Sequence, residues 1–168
     1  MHFRSILSLC LANFATAAPS ATTKYDTFNG AGQIRTRWNK GDYADLGCVT
    51  NDGKWTVDEK LCGTFTATPI TNSGTIAYSY YLKSNNGPCY IYGAEFVCDK
   101  GNRGTINQFG LWYIDGVLPD ASPLRVGNYG LMATWGKNPP LVEEGPQPLH
   151  LVSYTEQGKY VWLTWKEL

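Results

Sequence analysis

Cysteines, histidines and paired carboxylates are the side chains here with chemical reach, and their spacing limits what they can do. Of five cysteines, Cys10 lies in an N-terminal apolar stretch, while Cys48, Cys62, Cys89 and Cys98 occupy the middle of the chain. Four cysteines in an oxidising compartment make two disulfides, with three possible connectivities. The short separations favour Cys48–Cys62 and Cys89–Cys98, each closing a local hairpin. A zinc site would need CxxC-type spacing or nearby histidines. Neither is present, so no metal and no cofactor are expected.

Acid–base chemistry is equally constrained. The histidines are His2 and His150. Ser153 lies three residues from His150, so on a strand the two point to opposite faces and cannot form a nucleophile–base pair. Adjacent carboxylates occur at Asp58-Glu59 and Glu143-Glu144, in segments that read as turns. A glycosidase needs two acids flanking a sugar bond, but acids in turns are read first as solvated. Asp42 and Asp45 lack the Asp-x-Asp-x-Asp-Gly pattern of a calcium loop. Gly30-Ala31-Gly32 reads as a turn or bulge, with no strand-to-helix context for a phosphate cradle.

Aromatic residues are the unusual resource: six tryptophans and eleven tyrosines. Most must be core, because such rings dominate burial in small domains. Near the C-terminus, Val161, Leu163 and Trp165 alternate with Tyr160, Trp162 and Thr164. If the first set is core, Tyr160 and Trp162 are partly exposed and able to stack on a flat ligand face. Trp112 and Trp135 are further candidates for such contacts.

The elements that position these residues follow a β pattern. Residues 1–17 read as a secretory signal, with Arg4, the apolar run Ile6–Ala12 and the small-x-small site Ala15-Thr16-Ala17. The run is shorter than the roughly 20 residues of a membrane span. Its removal takes away Cys10 and His2. It leaves 13 basic against 14 acidic residues, so no basic field attracts nucleic acid or an anionic membrane. Residues 18–27 read as a short tail and 28–168 as a single domain. No Asn-x-Ser/Thr sequon occurs.

Within that domain, short alternating segments are separated by turn residues, the signature of an all-β domain. Thr50-Asn51-Asp52-Gly53-Lys54 reads as a turn between strands at 46–49 and 55–57. Further strands are expected at 63–68, 75–83, 90–92, 95–98, 105–114, 130–135, 149–154 and 160–166. The segment 136–148, with four prolines and two acids, reads as a long surface loop. Such short strands hide their edges by closing or stacking. The expected fold is therefore a small antiparallel β-barrel or β-sandwich of about eight strands with two disulfides.

The chain carries, in order, Phe28-Asn29-Gly30-Ala31-Gly32, Gly47-Cys48, Trp55, Cys62-Gly63-Thr64-Phe65-Thr66-Ala67, Ser84-Asn85-Asn86-Gly87-Pro88-Cys89, Phe96-Val97-Cys98 and Leu163-Thr164-Trp165. This series resembles the C-terminal accessory domain of fungal ribonucleases of the T2 family. The resemblance covers about residues 28–101. It implies an accessory β module, which in the family is appended to a catalytic domain. The two histidine-containing segments of the family's ribonuclease chemistry are not found in this sequence. His150 alone cannot supply both a general acid and a general base. The expectation is a secreted, non-enzymatic protein, extracellular or in the cell wall. It would bind an extracellular ligand such as cell-wall polysaccharide through exposed aromatics. The alternatives are a small effector or interaction module that binds a secreted or host protein, and a carboxylate hydrolase.

Overall fold

The computed structural model describes residues 28–70, 79–101, 103–104, 106–111, 121–127, 129–130, 132–134, 140–152 and 160–168. The signal segment and tail, Trp112, Trp135, Ser153 and the first half of the alternating stretch 75–83 lie outside them. Among the described residues, Gly30–Trp38, Asp45–Val49, Lys54–Thr56, Phe65–Pro69, Tyr80–Ser84, Gly87–Tyr92 and Glu95–Cys98 form strands β1 to β7. Strands β8 to β14 are Gly110–Leu111, Ser122–Val126, Tyr129–Gly130, Met132–Thr134, Gln147–Pro148, His150–Val152 and Val161–Glu167. Single 3-10 turns occur at Glu59–Leu61 and Val142–Glu144.

The strands pair antiparallel, and the pairings close on themselves. From β1 the ladder runs through β4, β5, β6, β7, β13, β11 and β14 and returns to β1. This curled ring of eight strands is the small antiparallel barrel-like fold that the turn spacing predicts. The others are short additions: β2, β3 and β12 continue from β1, and β9, β10 and β8 branch from β14. Both disulfides form as the short separations favour, Cys48–Cys62 and Cys89–Cys98. The turn at 50–54 forms too, with Gly53 at φ 96 and the Thr50 N–H donating to the Lys54 carbonyl.

Alternation along the strands sorts core from surface. Phe65 and Ala67 of β4 and Leu82 and Ser84 of β5 are buried, whereas Thr66, Thr68, Tyr81 and Lys83 face solvent. The core collects Phe28, Ile34, Val49, Phe65, Phe96, Phe109, Leu124, Leu163 and Trp165, together with the Cys89–Cys98 bridge. Edge-to-face ring contacts link Phe28 to Trp165 and Phe96 to Phe109. Burial of these rings is the principal term favouring the fold.

Two readings from sequence need correction. Gly30-Ala31-Gly32 is not a turn but the start of β1, paired with Phe65–Ala67 of β4. Gly32 serves packing: a Cβ there would stand 2.2 Å from the Trp165 ring. The segment 136–148 is also not wholly loop, because Gln147 and Pro148 pair with Trp55 and Lys54 of β3.

Gly32→Ala must displace the Trp165 indole from the core. It is expected to lower stability by roughly 1–3 kcal/mol, the usual range for an overpacked site. Denaturant midpoints of the two proteins measure this, and an unchanged midpoint would show that the indole shifts at no cost.

Candidate functional site

The residues proposed for ligand contact divide on inspection. In β14, Val161, Leu163 and Trp165 do face the core. Trp162, however, is only 5 % exposed on the opposite side, not partly open as the alternation suggests. The reason lies in the chain crossing over it. Tyr43 from the β1–β2 connection, Tyr160 and Val152 pack around the indole, whose Nε1–H donates to Asn39 Oδ1 at 3.1 Å. Tyr160 stands edge-on to Trp162 with centroids 5.6 Å apart and is half-buried. Tyr43 adopts φ 54, the only non-glycine residue in that region among those described. A bulky side chain is disfavoured there, and its contact with Trp162 offsets that cost. Trp162 is thus a packing residue of a second, smaller cluster. Tyr160 offers only part of its ring.

The rings open to solvent are different ones. Tyr81 of β5 is 45 % exposed and Tyr92 of β6 is 51 % exposed. Tyr81 faces Thr68 across β4–β5, and Lys83 faces Thr66. Tyr92 lies opposite Glu95 in the β6–β7 hairpin. Sequence alternation already puts Tyr81 and Lys83 on one face of β5. It gives no sign that this face is the outer one.

The loop after β7 completes this surface. Tyr90, also on the outer side of β6, is buried beneath Asp99 and Gly104: its hydroxyl donates to Asp99 Oδ1 at 2.5 Å, and Gly104 packs against its ring. Asp99 also accepts from the Gly101 N–H and from Arg103. The Tyr90 hydroxyl bond, followed by the Gly101 and Arg103 bonds, holds the Asp99 carboxyl below its ordinary range. The Arg103 guanidinium sits 5.3 Å from the Tyr92 ring centroid. A fixed aromatic ring with an ordered donor group beside it can stack on a planar or sugar face while donating hydrogen bonds.

The acids have other work. Asp58 Oδ1 accepts from the Lys60 N–H and Glu144 Oε2 from the Leu141 N–H, so each stabilises a 3-10 turn. Glu59 reaches Arg35, a residue whose role the sequence does not signal. Arg35 is on the outer side of β1 yet only 6 % exposed. Its Nε and Nη2 donate to the two Asp45 oxygens at 3.0 Å each, and Nη1 and Nη2 donate to Glu59 at 2.8 and 2.5 Å. Each carboxylate is engaged through both oxygens, the strong planar mode of guanidinium binding. The Glu59 bond, against burial and with help from Asp45, drives the Arg35 pKa upward. The Arg35 bond, in turn, lowers that of Glu59. A carboxylate held ionised in this way cannot act as a general acid near neutral pH, so the cluster clamps the fold. His150 is an exposed strand residue beside Glu95, with Nδ1 3.7 Å from a carboxylate oxygen.

These features define a disulfide-stapled antiparallel β domain whose acids brace turns and whose open rings lie on the outer side of β5 and β6. The family model described as RNase T2-like C-terminal domain matches residues 26–118, more than half of the chain, and the protein belongs to that family. In parent proteins of that family the domain is an accessory one. No curated protein and no solved structure matches the chain.

The Arg35–Glu59 contact has a pH signature. Because Glu59's folded pKa is lowered, its contribution is complete above the ordinary value of 4.5 and is lost as pH falls through the folded value. Glu59→Gln is expected to cost about 1 kcal/mol at pH 7, a figure kept small because Glu59 is largely exposed and screened. The gap to wild type should close as pH drops below 4.5. Denaturation at a series of pH values tests this, and a gap constant with pH would contradict the assignment.

Proposed function

We propose that this protein is a secreted, non-catalytic β domain that binds an extracellular ligand, with cell-wall polysaccharide the best-fitting class. The reading rests on one observation: Tyr81 and Tyr92, on the outer side of β5 and β6, expose their rings with Thr68 and Glu95 as their cross-strand neighbours. Thr66, Thr68 and Lys83 lie on the same side of β4 and β5. Rings set singly among hydrogen-bonding groups suit a sugar, which offers one apolar face and a rim of hydroxyls. A large apolar patch would instead suit a protein partner. The engagement of Asp58, Glu59 and Glu144 in the fold supports a binding role over carboxylate hydrolysis. The signal-like N-terminus and the two disulfides support an extracellular setting.

A second reading, a protein-interaction module, draws on Leu141 and Val142, adjacent apolar side chains exposed at the second 3-10 turn. It predicts a partner whose capture depends on those two residues and not on Tyr81 or Tyr92.

Retention of the purified protein on insoluble chitin, β-glucan and mannan tests the leading reading. Wild type should be held by at least one of them. Tyr81→Ala or Tyr92→Ala should weaken retention about fivefold, the scale of roughly 1 kcal/mol for one lost ring contact. Absence of retention on all three removes the glycan reading. Retention that neither substitution alters removes this face as its site.

A further inference from the structure

The two disulfides occupy opposite environments. Cys89 and Cys98 lie directly across from one another in the β6–β7 hairpin, each 1 % exposed within the core. Cys48 is buried on β2, but Cys62 is half-buried at the end of the Glu59–Leu61 turn. That bridge lies on the outer side of β1, where Cys48 is the register partner of Arg35. Arg35 Nη1 is 3.4 Å and Glu59 Oε2 is 3.5 Å from Cys62 Sγ. Besides the bridge, the turn is joined to the body of the domain by the Glu59–Arg35 contact, and its flanks by the Asp58, Gly63 and Thr64 N–H groups, which donate to Thr56 Oγ1, the Val49 carbonyl and Asn51 Oδ1.

We propose that Cys48–Cys62 is a thiol-exchange site, opened by external dithiols while Cys89–Cys98 stays closed, and that it latches the 59–61 turn over Arg35. Access decides the order, because exchange requires a thiolate to reach a sulfur. A dithiol thiolate attacks Cys62 Sγ. A new S–S bond forms as the Cys48–Cys62 bond breaks, and Cys48 leaves as a thiolate that takes a proton from water. The second thiol of the reagent, deprotonated, then closes on its own chain and expels the Cys62 thiolate. Two electrons have passed from the dithiol, now a cyclic disulfide, to the cystine. The turn loses its covalent tie, and the buried guanidinium keeps Asp45 while its hold on Glu59 loosens. The latch thus links the redox state of one bond to the exposure of one buried cation.

The test is timed reduction of the native protein with dithiothreitol, quenched by alkylation and read by peptide mass. Cys48 and Cys62 should be alkylated at least about tenfold faster than Cys89 and Cys98, as expected when access limits exchange. Amides of residues 58–63 should exchange faster in the partly reduced protein, while those of β6 and β7 keep their protection. The paired substitution Cys48→Ser with Cys62→Ser should show the same exchange pattern without reductant. Simultaneous opening of both bridges, or earlier opening of Cys89–Cys98, overturns the proposal. So does unchanged exchange at 58–63, or loss of protection throughout the paired variant.

Discussion

The pairing of β1 with β14 is the contact on which the remaining structure depends. Seven residues of each strand lie in register, from Gly32 opposite Glu167 to Trp38 opposite Val161. The ladder closes the ring of strands and so removes two edges that would otherwise be free to pair with other chains. Its inner side sets Ile34 and Thr36 beside Trp165 and Leu163 in the core. Each of the two strands also divides its far edge between two neighbours, β4 and β2 for β1, and β9 and β11 for β14. The short additional strands have a place to attach only because this pair is long.

A central pair covered on both sides imposes a cost on whatever points outward. Arg35 and Trp162 both do, and both are buried by connections folded across them. The guanidinium needs charge and hydrogen-bond partners once water is excluded, and Asp45 and Glu59 supply them from separate segments. The indole needs an acceptor, supplied by Asn39 in the β1–β2 connection. The Cys48–Cys62 bridge lies beside the first of these arrangements, so the covalent staple and the ion cluster reinforce one another. On the flank from β4 to β6, among the described residues, Arg103 lies beside the Tyr92 ring, and both Tyr81 and Tyr92 stay open to solvent. The open aromatic surface therefore falls there.

The elements legible from pattern are those built from local contacts. The β6–β7 hairpin carrying Cys89 and Cys98, the turn at 50–54 and the alternation over 80–83 all follow from neighbours within about a dozen residues, whose loop-closure cost is low. Cys48–Cys62 closes no hairpin but ties β2 to the end of the 59–61 turn. Strand β1 is harder to read because its first residues, Gly30-Ala31-Gly32, carry the composition of a turn. Its use of glycine becomes intelligible only beside Trp165. The split of β14 into a core face and an open face is half right for the same reason. Period-two alternation tells which residues share a side, not whether a second layer covers that side.

From the residues alone come the all-β class, the favoured cysteine pairs and the likeness to the ribonuclease accessory domain. These rest on short-range spacing and on turn chemistry that the chain carries wherever it folds. The assembled domain decides which aromatic rings are open, Tyr81 and Tyr92 rather than Trp162. It also turns Glu59, which reads as a solvated turn acid, and Asp45, for which the sequence indicates no partner, into the partners of a buried arginine. Those outcomes depend on contacts such as Arg35 with Thr164, 129 residues apart in the chain. Burial is a property of what lies across a surface, and only the closed ring of strands brings those distant segments together.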